Sequence, residues 1–127
     1  MTARTLALEI VTPDGRALLE AGVDAVVLRR RERRFELGSE IAVFPLHAPM
    51  LIRIPIAPAR YRRGGETVHL ALGGGFAEVK RDRVLVVTPR CETVPRGAPA
   101  PRVVASEICR RWAEEMRDLQ AEMVGSR

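Results

Sequence analysis

Residues 6 to 87 offer only short β-favouring runs, and proline, glycine or charge cuts each one off before a helical period can establish itself. Leu6, Leu8 and Ile10 alternate with other residues, which puts one strand face on a core. Pro13-Asp14-Gly15 follows as a turn, and residues 16–21 and 23–28 can return as a second and third strand, with Val26 and Leu28 sharing a face. Further runs stand at 41–44, 51–56, 68–72, 76–79 and 84–87. The clearest alternation sets Val68, Leu70 and Leu72 against Thr67, His69 and Ala71; in the 76–79 run, Phe76 and one neighbour are expected on the core face. Many short strands with no helical pattern between them imply an antiparallel sandwich or barrel and exclude a doubly wound sheet.

The pattern changes near residue 90. Pro89, Pro95, Pro99 and Pro101 remove amide donors and fix φ, so residues 91–102 read as a semi-extended linker between a β-sandwich domain over 1–90 and a helical segment over 103–127. Within that segment Val104, Ile108, Trp112, Met116 and Leu119 recur at three- or four-residue spacing and form one apolar docking stripe. A lone helix of this length is marginal in water, so the stripe is expected to bury itself on this chain's own sandwich or on a partner. The fold class is therefore mainly β, with a C-terminal α-helix.

Composition limits what the chain can do. The net charge is +5, which brings acidic partners into consideration, but aromatic residues make up only 4%, too few for a base-stacking surface. Residues 29–34 read Arg-Arg-Arg-Glu-Arg-Arg, a run whose hydration and mutual repulsion favour an exposed hairpin tip. The most apolar stretch, 41–59, is broken by Pro45, Pro49, Pro55 and Pro58 and cannot be a spanning helix. Residues 1–8 lack a basic segment followed by an apolar run, so no secretory signal is expected, and two distant cysteines suit a reducing cytosol.

Catalytic and ligand motifs are absent from this pattern. Gly73-Gly74-Gly75 continues as strand rather than opening a helix, so it reads as a bulge or tight crossover, not a phosphate loop. His47 and His69 have no His or Cys neighbour at ligand spacing, and neither Cys91 nor Cys109 stands beside a histidine. No metal, no cofactor and no catalytic residue is expected. A basic β-module binding nucleic acid or another anionic partner is the alternative reading.

Two segments together carry a resemblance: Phe44-Pro45-Leu46-His47-Ala48-Pro49-Met50-Leu51, and the stretch LALGGGFAEV at 70–79. In that order and at that separation they resemble the epsilon subunits of F-type ATP synthases, and LEIVTP at 8–13 looks like the first strand of that family. The resemblance covers about residues 5 to 92. It implies a non-catalytic sandwich of about ten short strands, bound in the central stalk, which couples rotation of the gamma subunit to the c-ring in ATP synthesis and ion transport. It also implies a peripheral place on the cytoplasmic face of the bacterial inner membrane. By position Phe44, Pro45, His47 and Pro49 would meet gamma, and the loop carrying Arg30, Arg31, Glu32, Arg33, Arg34 and Glu36 would approach the c-ring. The C-terminal helix would add a weak regulatory role, with the catalytic alpha/beta hexamer as its partner. Leu46 stands where the family has glycine, and one helix fits where the family has two, which suggests a divergent bacterial form.

Overall fold

The computed structural model describes residues 4–31 and 38–125. Along them run β1 (Leu6–Thr12), β2 (Gly15–Val23), β3 (Ala25–Arg29), β4 (Glu40–Val43), β5 (Met50–Arg63), β6 (Glu66–Lys80), β7 (Arg83–Val87), β8 (Cys91–Thr93) and α1 (Pro101–Gly125). The strands form one continuous ladder in the order β2-β1-β7-β6-β5-β3-β4, with β8 added to β6.

Two long strands turn this ladder into a sandwich. β5 and β6 pair antiparallel from Met50 opposite Val79 to Arg63 opposite Glu66, and both bend where Pro55 lies between the paired positions Ile54–Gly75 and Ile56–Gly73. Beyond the bend, 76–80 of β6 pair with β7, while 70–72 pair with β8. Each long strand thus serves both layers. The first layer is β2, β1, β7 and the adjoining halves of β6 and β5; the second is β8, the other halves of β6 and β5, then β3 and β4. Residues 68–72 and 76–79, expected as two strands, form one strand of fifteen residues, because glycine here bends the strand without ending its pairing. Eight strands are therefore described where about ten were expected, and the long pair counted once per layer accounts for the difference.

Most pairs are antiparallel, but β1 and β7 run parallel, Leu8 opposite Val84 and Ile10 opposite Val86. Such a pair needs a long connection, and β2 to β6 supply it. The core lies between the layers: Leu6, Leu8, Ile10, Val84, Val86, Ala77 and Val79 from the first meet Val26, Leu28, Val43, Tyr61, Leu70 and Leu72 from the second. Ala77 and Val79 face this core while Phe76 is 47% exposed, opposite to the expected facing of that run. A short run of mixed apolar residues does not fix which alternate face is buried.

The proline-rich stretch is partly sheet. Cys91–Thr93 pairs with β6 and the Val94 amide donates to the His69 carbonyl at 2.9 Å, so the sandwich extends past the expected limit at residue 90. α1 begins at Pro101 rather than 103, since proline at the first helical position loses no hydrogen bond. Ile108, Cys109 and Trp112 bury themselves against Ala71 and Ile56 on the outer side of the second layer, and Ala105 of the same helix is buried as well.

Candidate functional site

Both cysteines are held as neutral thiols. Burial pushes the Cys91 and Cys109 thiols up to about 11, so both are neutral near pH 7 and poor nucleophiles. Burial, then Arg60 and Arg102, lowers the His69 pKa. Among the described residues no group of three His, Cys, Asp or Glu is placed to hold a metal ion. The Gly73 amide, which a phosphate loop would leave free, donates to Thr88 Oγ1 at 3.1 Å and to the Arg90 carbonyl at 2.8 Å.

What the fold offers instead is a surface. On the outer side of the first layer, strand register sets Arg53, Phe76, Val87, Val11 and Arg16 in one row across five strands. The next row holds Leu51, Glu78, Leu85, Glu9 and Leu19. Leu51 is 68% exposed, Val87 51% and Leu19 53%. An outward sheet face is normally polar, so large apolar side chains contiguous in register mark a place that another surface covers.

Glu9 lies in the middle of this face, itself buried, and is gripped from both sides: Arg16 Nε donates to Oε2 and Arg83 Nη2 to Oε1, each at 2.8 Å. The hydrogen bond from Arg83, then that from Arg16, holds the carboxyl below its ordinary range. One carboxylate thus holds two guanidiniums, and the cluster keeps one net positive charge.

The loop expected to meet gamma leads into the same region. The Leu46 amide donates to the Arg81 carbonyl at 2.6 Å, at the β6–β7 turn, and Pro49 precedes β5 next to Leu51. Leu46 has φ 68°, the left-handed region in which glycine carries no penalty. His47 is half-buried and its Nδ1 lies 2.8 Å from the Ala48 carbonyl oxygen. Pro45 is half-buried and Pro49 exposed. Phe44 departs from the others: it is 58% exposed and lines an open cleft of about 620 Å³ with Arg60, Arg62 and Thr67 of the second layer.

At the arginine end, the Arg30 amide donates to the Ser39 carbonyl at 3.0 Å and the Arg31 amide to the Arg53 carbonyl at 2.8 Å. Glu32, Arg33, Arg34 and Glu36 lie outside the described residues. Of the helical stripe, Ile108 and Trp112 are buried, Val104 is half-buried, and Met116 and Leu119 are exposed, clear of the sandwich.

Polar ties complete the docking of α1. Arg90 stacks over the Trp112 ring at 4.5 Å and pairs with Glu115 at 2.7 Å. Glu40 collects Arg60 at 3.1 Å, Arg102 at 3.2 Å and Arg29 at 3.7 Å, joining three strands to the first turn of the helix. Sequence reasoning passes over this hub and over Leu51, Phe76 and Val87 as surface residues. The available signal for the latter is that Leu51-Ile52, Phe76-Ala77 and Val86-Val87 are apolar at adjacent positions, as in a strand covered on both faces.

The beta-sandwich domain model of the ATP synthase delta/epsilon chain matches residues 5–94. An ATP synthase epsilon chain of Bacillus mycoides is 32% identical over 120 residues, covering 94% of this chain and 83% of the relative; one of Bacillus cereus is 32% identical over 118 residues, covering 93% and 81%. Among solved structures, a chain of the Euglena gracilis mitochondrial ATP synthase superposes with a TM-score of 0.63 at 18% identity, covering 86% of this chain and 77% of that one. A chain of the Tetrahymena thermophila mitochondrial ATP synthase central stalk and c-ring gives 0.58 at 11% identity, covering 97% and 98%. These two likenesses establish a shared fold, and the sequence matches establish descent: this chain belongs to the ATP synthase delta/epsilon chain family.

Proposed function

We propose that this chain is the epsilon subunit of an F-type ATP synthase central stalk, a non-catalytic coupling piece whose sandwich docks on the gamma subunit and turns with it. The outer face of the first layer, with the loop of Pro45, His47 and Pro49 at its end, is the gamma-facing surface. Arg30 and Arg31 begin the loop that approaches the c-ring, at the cytoplasmic side of the bacterial inner membrane. Among the described residues no helix is long and apolar enough to cross a membrane, which agrees with a peripheral attachment through the complex. The exposed end of α1 serves a weak regulatory contact with the alpha/beta hexamer. The work done is mechanical. Torque passes through the two-layer body that the paired β5 and β6 hold together.

The observation that carries this reading is the row of Phe76 and Val87 beside Leu51, exposed apolar side chains on three adjacent strands of one face. The nucleic-acid alternative gains no support: aromatic residues make up only 4% of the chain, and the similar sequences are ATP synthase epsilon chains.

Co-expression with the gamma subunit of the same organism tests the proposal. The two should co-purify through high salt, since an apolar contact is little screened. Leu51→Asp places a charge in the centre of that contact and should weaken binding by about 30-fold or more while the fold is retained. Retention of gamma by the Leu51→Asp variant at wild-type affinity would overturn the docking face. Loss of the wild-type complex as salt rises would favour a polyanion partner instead.

A further inference from the structure

We propose that Arg53 is the specificity-determining residue of this face, and that the gamma subunit presents an aspartate or glutamate carboxylate to it; this rests on the docking reading above. Among the described strand residues, four cationic side chains belong to the outer side of the first layer: Arg16, Arg53, Lys80 and Arg83. Arg16 and Arg83 are spent on Glu9, and Lys80 pairs with Glu78 at 3.3 Å. Arg53 has no carboxylate among the described residues. Its guanidinium lies 5.9 Å from the centroid of the exposed Phe76 ring.

This arrangement prepares the group for a partner. At this separation the ring face still attracts the cation, and the exposed guanidinium keeps an N–H edge with which it can make two parallel bonds to a carboxylate. An exposed arginine costs nothing in water, but one closed into a dry contact without an anion loses its hydration uncompensated. The adjoining Leu51, Phe76 and Val87 are the side chains that would exclude that water. Glu9 cannot answer the charge, because both its oxygens are occupied. Among the described residues the carboxylates of this face, Glu9 and Glu78, are already paired, so we assign the compensating anion to the docked surface.

The position also gives direction. Arg53 stands at one end of its row, and its carbonyl accepts the Arg31 amide at the base of the arginine loop. An ion pair formed at this end, beside the apolar side chains of Leu51, Phe76 and Val87, fixes which way the sandwich lies on its partner, which is how charges at interfaces contribute most.

Binding of gamma by Arg53→Met, Arg53→Glu and Leu51→Asp, measured at low and high salt, tests the assignment. Arg53→Met keeps an apolar stem on Phe76, so it should fold normally yet bind about 10-fold or more weakly. Arg53→Glu should bind more weakly still, and one acidic-to-arginine substitution in gamma should restore it. If Arg53→Met binds as tightly as the wild type while Leu51→Asp does not bind, the role of Arg53 is overturned and the docking face stands. If Leu51→Asp binds normally too, the face itself is wrong and the inference falls with it.

Discussion

At Gly75 a single absent carbon permits the fold. Its φ is 112°, and a Cβ built there would land on the Val87 carbonyl oxygen, so an alanine would meet both backbone strain and fixed backbone atoms. Gly74 has φ 88°, but its nearest neighbour would be the Ile54 carbonyl oxygen at 3.5 Å, an ordinary contact. Gly75→Ala should therefore destabilise the protein by about 2–5 kcal/mol, from strain plus displaced backbone, and Gly74→Ala by only about 1–2 kcal/mol. Urea unfolding of both variants measures the gap, and equal losses would show that conformation alone, not the approach of β7, demands glycine at this bend. Leu46 bears a comparable left-handed strain on the surface, where only its own amide bond to Arg81 has to be kept.

Among the elements, α1 is the one whose attachment can be separated from the rest. The helix has 25 residues, and every one from Glu114 onward is exposed, so the sandwich supports only its first half. Trp112 is the largest of the four buried side chains of the helix and also carries the stacked Arg90. Trp112→Ala should cost about 3–5 kcal/mol of this contact, enough to free a helix that is marginal alone. Amide exchange should then rise across 101–125 while the strands stay protected, and simultaneous loss of protection in both would contradict an independently held appendage. The stripe itself was legible from its period, because a 3.6-residue repeat needs no tertiary information. How far along it the sheet reaches was not, since that depends on where β5 and β6 bend. The bend was hidden for a related reason: Gly73-Gly74-Gly75 reads as a bulge or tight crossover between two short runs, and only pairing across to β5 shows that the two are one strand. The docking face was half legible. Leu51 and Val87 announce apolar residues, but one run cannot say that five strands bring Arg53, Phe76, Val87, Val11 and Arg16 into line.

In the whole molecule two carboxylates tie distant parts together, and both respond to acid in the same sense. Glu9 joins β1 to β2 and β7 through Arg16 and Arg83; Glu40 joins β4 to β3, β5 and α1 through Arg29, Arg60 and Arg102. The hydrogen bond from Arg60, helped by the charges of Arg60, Arg102 and Arg29, lowers the Glu40 pKa, as Arg83 and Arg16 lower that of Glu9. A carboxyl more acidic folded than unfolded lends stability that is fully present above its ordinary value of 4.5 and is lost as pH falls through the folded value. Protonating Glu40 also leaves three guanidiniums facing one another without their anion, in a chain that already carries a net charge of +5. The melting temperature should therefore stay level from neutral pH down to about 5 and fall below about 4.5. Glu40→Gln has no such proton to gain. Its melting temperature should be lower than the wild type's at pH 7, the two curves should converge as the solution is acidified, and parallel curves would remove Glu40 from the set of groups that make this fold acid-sensitive.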